Sequence, residues 1–205
     1  MGSNNQYDFE EAVFNKLGCE IHTFDPTVAV PTNDPKVCAF HSIGFGAHDT
    51  AAEIAEDAKT GWDVRNIGEV LDMLNHKDRV IDIFKIDCEG CEYKVFTDRF
   101  FSKIAERNVV IRQIQMEVHS PSGVTAEDKE SRHLHDKDLP VIKGMFKVLE
   151  RAGYRIFHKE PNLIADNYGR RAEFAFIKVD TLMMTEGEGQ RDGLRGRGGG
   201  GELHR

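Results

Sequence analysis

No apolar run in this chain of 205 residues approaches the ~20 residues that a membrane-spanning helix needs. Residues 1–30 also lack the basic-then-apolar order of a signal peptide. Basic charge is scarce: 27 Lys and Arg face 35 Asp and Glu, a net charge of −8. That balance argues against a nucleic-acid partner, because no local basic patch offsets it. Cysteine is scarce too, and the pair Cys88-x-x-Cys91 has no second pair to complete a zinc site. No Gly-x-Gly-x-x-Gly follows a first strand, which disfavours a nicotinamide oxidoreductase. Internal repeats are absent. Against these absences, 40% hydrophobic and 30% charged residues describe one soluble globular domain with room for a core.

That domain is expected over residues 1–183, with 184–205 a disordered Gly/Arg-rich tail. The four tail acids (Glu186, Glu188, Asp192, Glu202) balance four arginines (Arg191, Arg195, Arg197, Arg205), so the folded part carries the whole surplus of negative charge. An Arg-Gly tail could touch RNA weakly; a bare solvated extension is the simpler reading.

Periodicity gives the element order. Phe9, Val13 and Leu17 stand four apart before Gly18, the pattern of a short helix with its stop. Cys19–Phe24 alternates and ends at Asp25-Pro26, and Val37–Ile43 is another strand ending in Gly44. Ile67, Val70, Leu71 and Leu74 form a helical stripe. Val80–Ile86 is a buried strand; Tyr93, Phe96, Phe100 and Ile104 predict one helix after it. Val109–Val118 reads as strand, and Asp138-Leu139-Pro140 opens a helix that Gly153 ends. Tyr154–His158 and Ala172–Val179 are the last strands. Such alternation implies an α/β fold with helices on both sides of a mostly parallel sheet.

The stretch from Ile81 to Tyr93 is the most informative. A buried strand runs into Asp87-Cys88-Glu89-Gly90-Cys91-Glu92, and the tips of such strands are where open α/β sheets bind ligands. Asp87 and Glu89 are therefore the first candidates, while Glu92 reads as an ordinary acid of a first helical turn. The run Lys85-Ile86-Asp87-x-Glu89-Gly90-x-Glu92 resembles the signature of FkbM-type methyltransferases, a branch of the class I S-adenosylmethionine (SAM) enzymes. Further stretches resemble that family in the same order: Leu17–Pro26, His41–Gly46, Gln115–His119, Gly153–Asn162 and Ala172–Ile177.

The resemblance implies a Rossmann-like methyltransferase sandwich with an antiparallel last strand. It also implies that Met1–Asn5 is the cofactor turn, with the first strand upstream, so this chain is expected to be a truncated form of the fold. Gly2, Ser3 and Asn4 would supply the turn for the carboxylate end of SAM, and Asp25 the ribose acid, unless Asp25-Pro26 merely opens a loop. Ser42, Ile43 and Gly44 are the adenine-side candidates. Trp62 and Gly61 would either cover the cofactor or fill core.

At the reacting end, alternation along a strand pairs Asp87 with Glu89 and Glu117 with His119. In the implied strand order the four converge at one sheet edge. His119 is the expected general base, Asp87 an acid near the methionine amine or the substrate, and Glu89 and Glu117 orienting groups. The same four groups would suit Mg or Mn, which gives a rival reading as a metal-dependent transferase or hydrolase. A catalytically defective binding domain is the other rival. The acceptor implied by the resemblance is a small molecule or glycan methylated on oxygen, selected by the polar loop 120–137. Cys19 and Cys38 read as buried small hydrophobes, Cys88 and Cys91 could close a disulfide, and His22, His41, His48, His133, His135 and His158 read as scattered surface or loop residues.

Overall fold

The computed structural model describes residues 1–122, 137–161 and 171–179. The expected tail, most of the acceptor loop, His133 and His135 lie outside the described residues. Among the described residues, eight strands, six α-helices and one 3₁₀ turn follow one another. The first helix, α1 (Asp8–Leu17), ends at Gly18, whose φ of 64° provides the left-handed stop. Two short strands follow, β1 (His22–Phe24) and β2 (Ala39–His41), paired in parallel. Strands β3 (Gly44–Phe45) and β4 (Val64–Arg65) form a second parallel pair, separated in sequence by α2 (Ala51–Asp57) and a 3₁₀ turn over Ala58–Thr60. Helix α3 (Ile67–Met73) leads to β5 (Val80–Ile86).

The stripe Tyr93–Ile104 is two helices rather than one. Helix α4 (Glu92–Val95) stops at Phe96, and Thr97 caps α5 (Asp98–Glu106) by accepting a hydrogen bond from the Phe100 amide. Because Phe96 and Phe100 stay buried on both sides of the break, their spacing hides it. Strand β6 (Val110–His119), helix α6 (Leu139–Arg151), β7 (Tyr154–Pro161) and β8 (Arg171–Lys178) complete the order.

Four strands form one sheet in the order β5-β6-β8-β7, with β5 parallel to β6 and β8 antiparallel to both its neighbours. This is the mainly parallel α/β arrangement that the pattern predicts, with the antiparallel last strand that the resemblance implies. Its core gathers Ile111, Ile114 and Met116 of β6 with Ile67, Val70 and Leu71 of α3, Phe100 and Ile104 of α5, and Met145 and Leu149 of α6.

Strands β1 and β2 are shorter than the apolar patterns predict. Among the described residues, β1 and β5 share no ladder. A cavity of about 350 Å³ lies between them, lined by His22 and Phe24 on one side and by Ile81, Ile83 and Lys85 on the other. At their C-terminal ends Met1 and Gly2 span the gap. Gly2 N donates to Phe24 O at 3.0 Å, Met1 N to Lys85 O at 2.9 Å, and Asp87 N to Met1 O at 3.0 Å. No helix among the described residues is long and apolar enough to cross a membrane.

Candidate active site

A cavity of about 1080 Å³ opens at the C-terminal ends of β1 and β5. Gly2, Ser3, Asn4, Asp25, Gly44, Asp87, Glu89 and Glu117 all line it. The turn on its first wall is built from unusual backbone: Gly2, Asn4 and Asn5 all have positive φ, at 75°, 45° and 60°. Position 2 admits no side chain, since a Cβ there would lie 1.6 Å from the carbonyl oxygen of Asp87.

Asp25 organises that turn. Its Oδ2 accepts from Ser3 N (2.8 Å), Asn4 N (2.9 Å) and Ser3 Oγ (3.2 Å), while Oδ1 accepts from Thr27 N (2.9 Å) and Thr27 Oγ (2.6 Å). Burial alone would raise this carboxyl, but the bonds from Thr27, Asn4 and Ser3 outweigh it and hold the group below its ordinary value. The carboxylate is thus a structural hub as well as part of the cavity wall.

Of the three adenine-side candidates only Gly44 lines this cavity. Strand β2 stops at His41 and the chain turns at once, with Ile43 N donating to His41 O at 2.9 Å. The turn packs Ile43 into the core and leaves Ser42 exposed. The apolar wall is instead Pro26, Phe45, Trp62 and Val64.

Asp57 also lines the cavity, and the sequence reading missed it. It is buried, and its Oδ2 has no hydrogen-bond partner among the described residues. An acid that ends a helix sits against the helix dipole, and that mismatch is the signal that could have exposed it.

On the opposite wall β5 and β6 lie parallel in register, Ile86 beside Met116, which brings their tips together. His119, 11% exposed in its side chain, is the hub. Its Nε2 lies 3.2 Å from Glu89 Oε2, 3.2 Å from Glu117 Oε2 and 3.8 Å from Asp87 Oδ1. All four expected groups therefore meet. Glu89 arrives by a different route from the one alternation suggests: the strand ends at Ile86, and Glu89 reaches His119 from a turn in which its own φ is 55°. Cys88 and Cys91 form a disulfide that brackets this turn.

Glu92 overturns its reading as a routine helix acid. It is fully buried, and its Oε1 stands 2.9 Å from His119 Nδ1. Tyr93 Oη donates to the His119 carbonyl at 2.5 Å, fixing the backbone of the same residue. Two further charged groups come from β8, whose antiparallel register sets Arg171 opposite His119 and Glu173 opposite Glu117. Arg171 Nε lies 3.5 Å from Glu117 Oε1.

The electrostatics follow. Burial would depress the His119 imidazole, but the bond to Glu92 and the charges of Glu92, Glu89 and Glu117 raise it above its ordinary value. Burial and the neighbouring charge of Glu117 push Asp87 and Glu173 upward. Asp87 Oδ1 and His119 Nε2 are both buried, without a hydrogen bond of regular geometry among the described residues. Asp87, Glu89 and His119 each present a ligand atom within 4.8 Å of the others, so the site could also hold a divalent ion.

A mainly parallel sheet with one antiparallel strand, a positive-φ turn at one strand tip and acids at the next describe a Rossmann-like α/β domain. Residues 1–178 match the family described as a methyltransferase domain, and the chain belongs to that family. "Probable methyltransferase-like protein 24" of Homo sapiens is 26% identical over 167 residues, which cover 80% of this chain and 42% of that protein. Its Rattus norvegicus counterpart is 27% identical over 168 residues, with the same coverage. The chain thus spans less than half the length of these curated relatives.

Proposed function

We propose that this chain is a SAM-dependent methyltransferase acting on a hydroxyl of a small or sugar-like acceptor. The observation that carries the reading is His119, held by Glu92 on one nitrogen and close on the other to Asp87, Glu89 and Glu117, three acids that line one cavity with a turn that suits the cofactor.

The chain's own residues fit SAM in three respects. Gly2, Ser3 and Asn4 line the cavity as a tight turn of positive-φ backbone, the shape that suits the carboxylate end of the cofactor. Asp57 Oδ2 is an unused buried acceptor beside Phe45, Trp62 and Val64, suited to an amino-bearing ring such as adenine. The cavity, about 1080 Å³, matches the upper end of the ~300–1,000 Å³ usual for ligand sites. Ribose hydroxyls donating to Asp25 would replace the Thr27 hydroxyl. When bound, SAM supplies a methyl group already activated on a sulfonium.

The protein then has two tasks, to align the acceptor oxygen and to take its proton. Neutral His119 would accept that proton at Nε2. Glu92 steadies the resulting imidazolium through Nδ1. Asp87, Glu89 and Glu117 orient the acceptor or the ring.

SAM titration by calorimetry is the first test, and no saturable binding at millimolar ligand sinks the cofactor assignment. His119→Ala should lower S-adenosylhomocysteine formation with hydroxylated acceptors by about 10²–10⁴-fold while sparing SAM affinity. Retained turnover removes His119 as the base. The ligand geometry of Asp87, Glu89 and His119 favours one alternative, a metal-assisted transferase. Turnover abolished by chelator and restored by Mg or Mn selects it.

A further inference from the structure

A second cluster lies at the other end of β1, away from the reacting acids. Glu20, just before the strand, His22, its first residue, and His76, between α3 and β5, each present a ligand atom within 4.8 Å of the other two. His22 Nε2 stands 3.1 Å and His76 Nε2 3.7 Å from the same oxygen, Glu20 Oε1. Ligands at the ~2.0–2.2 Å bond lengths of tetrahedral zinc lie about 3.3–3.6 Å apart, and the spacings of 3.1 and 3.7 Å bracket that edge. The rings of His22 and His76 meet edge to face at 5.3 Å, as two imidazoles converging on one point do.

A fourth group completes the pattern. His41, the last residue of β2, places Nε2 3.0 Å from His22 Nδ1. In the tautomer where His22 Nδ1–H donates to His41, the lone pair of His22 Nε2 is turned toward Glu20 and His76. An outer partner on the second ring nitrogen is what ligating histidines ordinarily have. Arg79 pairs with the other Glu20 oxygen, at 3.9 Å, and leaves Oε1 to the imidazoles.

We infer that Glu20, His22 and His76 form a binding site for a zinc-class divalent cation, with His41 orienting His22. The placement suggests its use. Strands β1 and β5 share no ladder, and Met1 and Gly2 tie them at their C-terminal ends. An ion held by β1 and by the segment entering β5 ties the opposite ends across the same cavity, whose lining includes all three ligands. It is a staple for the sheet, separate from the acids around His119.

The test uses the full chain, stripped with chelator and titrated with Zn²⁺ by calorimetry and with Co²⁺ by visible absorption. We expect one saturable equivalent, a tetrahedral Co²⁺ spectrum with nitrogen ligation, and a melting midpoint that rises with Zn²⁺ concentration. His22→Ala and His76→Ala should abolish that equivalent, and His41→Ala should weaken it about 10–100-fold. Glu20 is exposed, so Glu20→Gln leaves the fold alone and should weaken binding at least tenfold, which keeps the test decisive if a histidine variant fails to fold. His119→Ala should leave it intact. Absence of saturable binding overturns the site. So does binding that survives Glu20→Gln and disappears with His119→Ala, which would put the ion among the acids instead.

Discussion

The two halves of this molecule are built to different standards. In the second half, β5–β8 run seven to ten residues each and share the ladders of one sheet, with a register shift in β7 between Ile156 and His158. In the first, β1–β4 run two or three residues each and form two separate pairs. Both halves end at the same cavity. The long ladders fix the charged cluster around His119, where a misplacement of an ångström costs rate. The short half holds its turn through one carboxylate, Asp25, and five hydrogen bonds. Rigidity here follows what is asked of each wall.

That contrast can be broken from either side. The largest effect should come from the ladder: Ile114→Ala, at the fully buried centre of β6, should cost about 2–5 kcal/mol in urea unfolding. A loss under 1 kcal/mol would mean that β6 does not anchor the domain. Next, Asp25→Ala should free the turn from β1 and weaken SAM at least tenfold, as the calorimeter reads it. Unchanged affinity would remove Asp25 from the cofactor wall.

A smaller effect sharpens the other wall. Because its neighbours raise His119, neutral base appears only above that raised value, so the rate should climb with pH along a limb displaced upward from that of an ordinary histidine. The stability linkage has the opposite sense: the charged ring stabilises the fold fully below the ordinary histidine value and loses that contribution as pH rises through the raised one. Glu92→Gln keeps an acceptor for Nδ1 but removes the charge, so the limb should move to lower pH. A limb that stays put would assign the titration elsewhere. The smallest change is Leu17→Ser on the largely exposed α1, expected to fall within about 0.5 kcal/mol.

Much of this was legible in the chain because apolar periodicity survives in single elements. The strands Val80–Ile86 and Val110–His119 and the helix opening at Leu139 lie where their patterns place them. Asp87, Glu117 and His119 converge because two parallel strands in register bring their tips together, and Glu89 joins them from the turn that follows. What escaped depended on partners distant in sequence. Nothing local in Arg171 or Glu173 says that they will face His119 and Glu117 across the β6–β8 ladder. Glu92 looks like any first-turn acid until burial removes water and leaves His119 as its partner. The histidines at 22 and 41 read as scattered surface groups because strand pairing, not spacing, brings them together, and His76 joins them from a loop.

Position 2 has room for a hydrogen atom and nothing more, pressed against the carbonyl of Asp87. The turn over Gly2–Asn4 and the strand tip that carries Asp87 are therefore packed directly against one another. A side chain at position 2 would have to displace the Asp87 backbone, and with it the turn that carries Glu89.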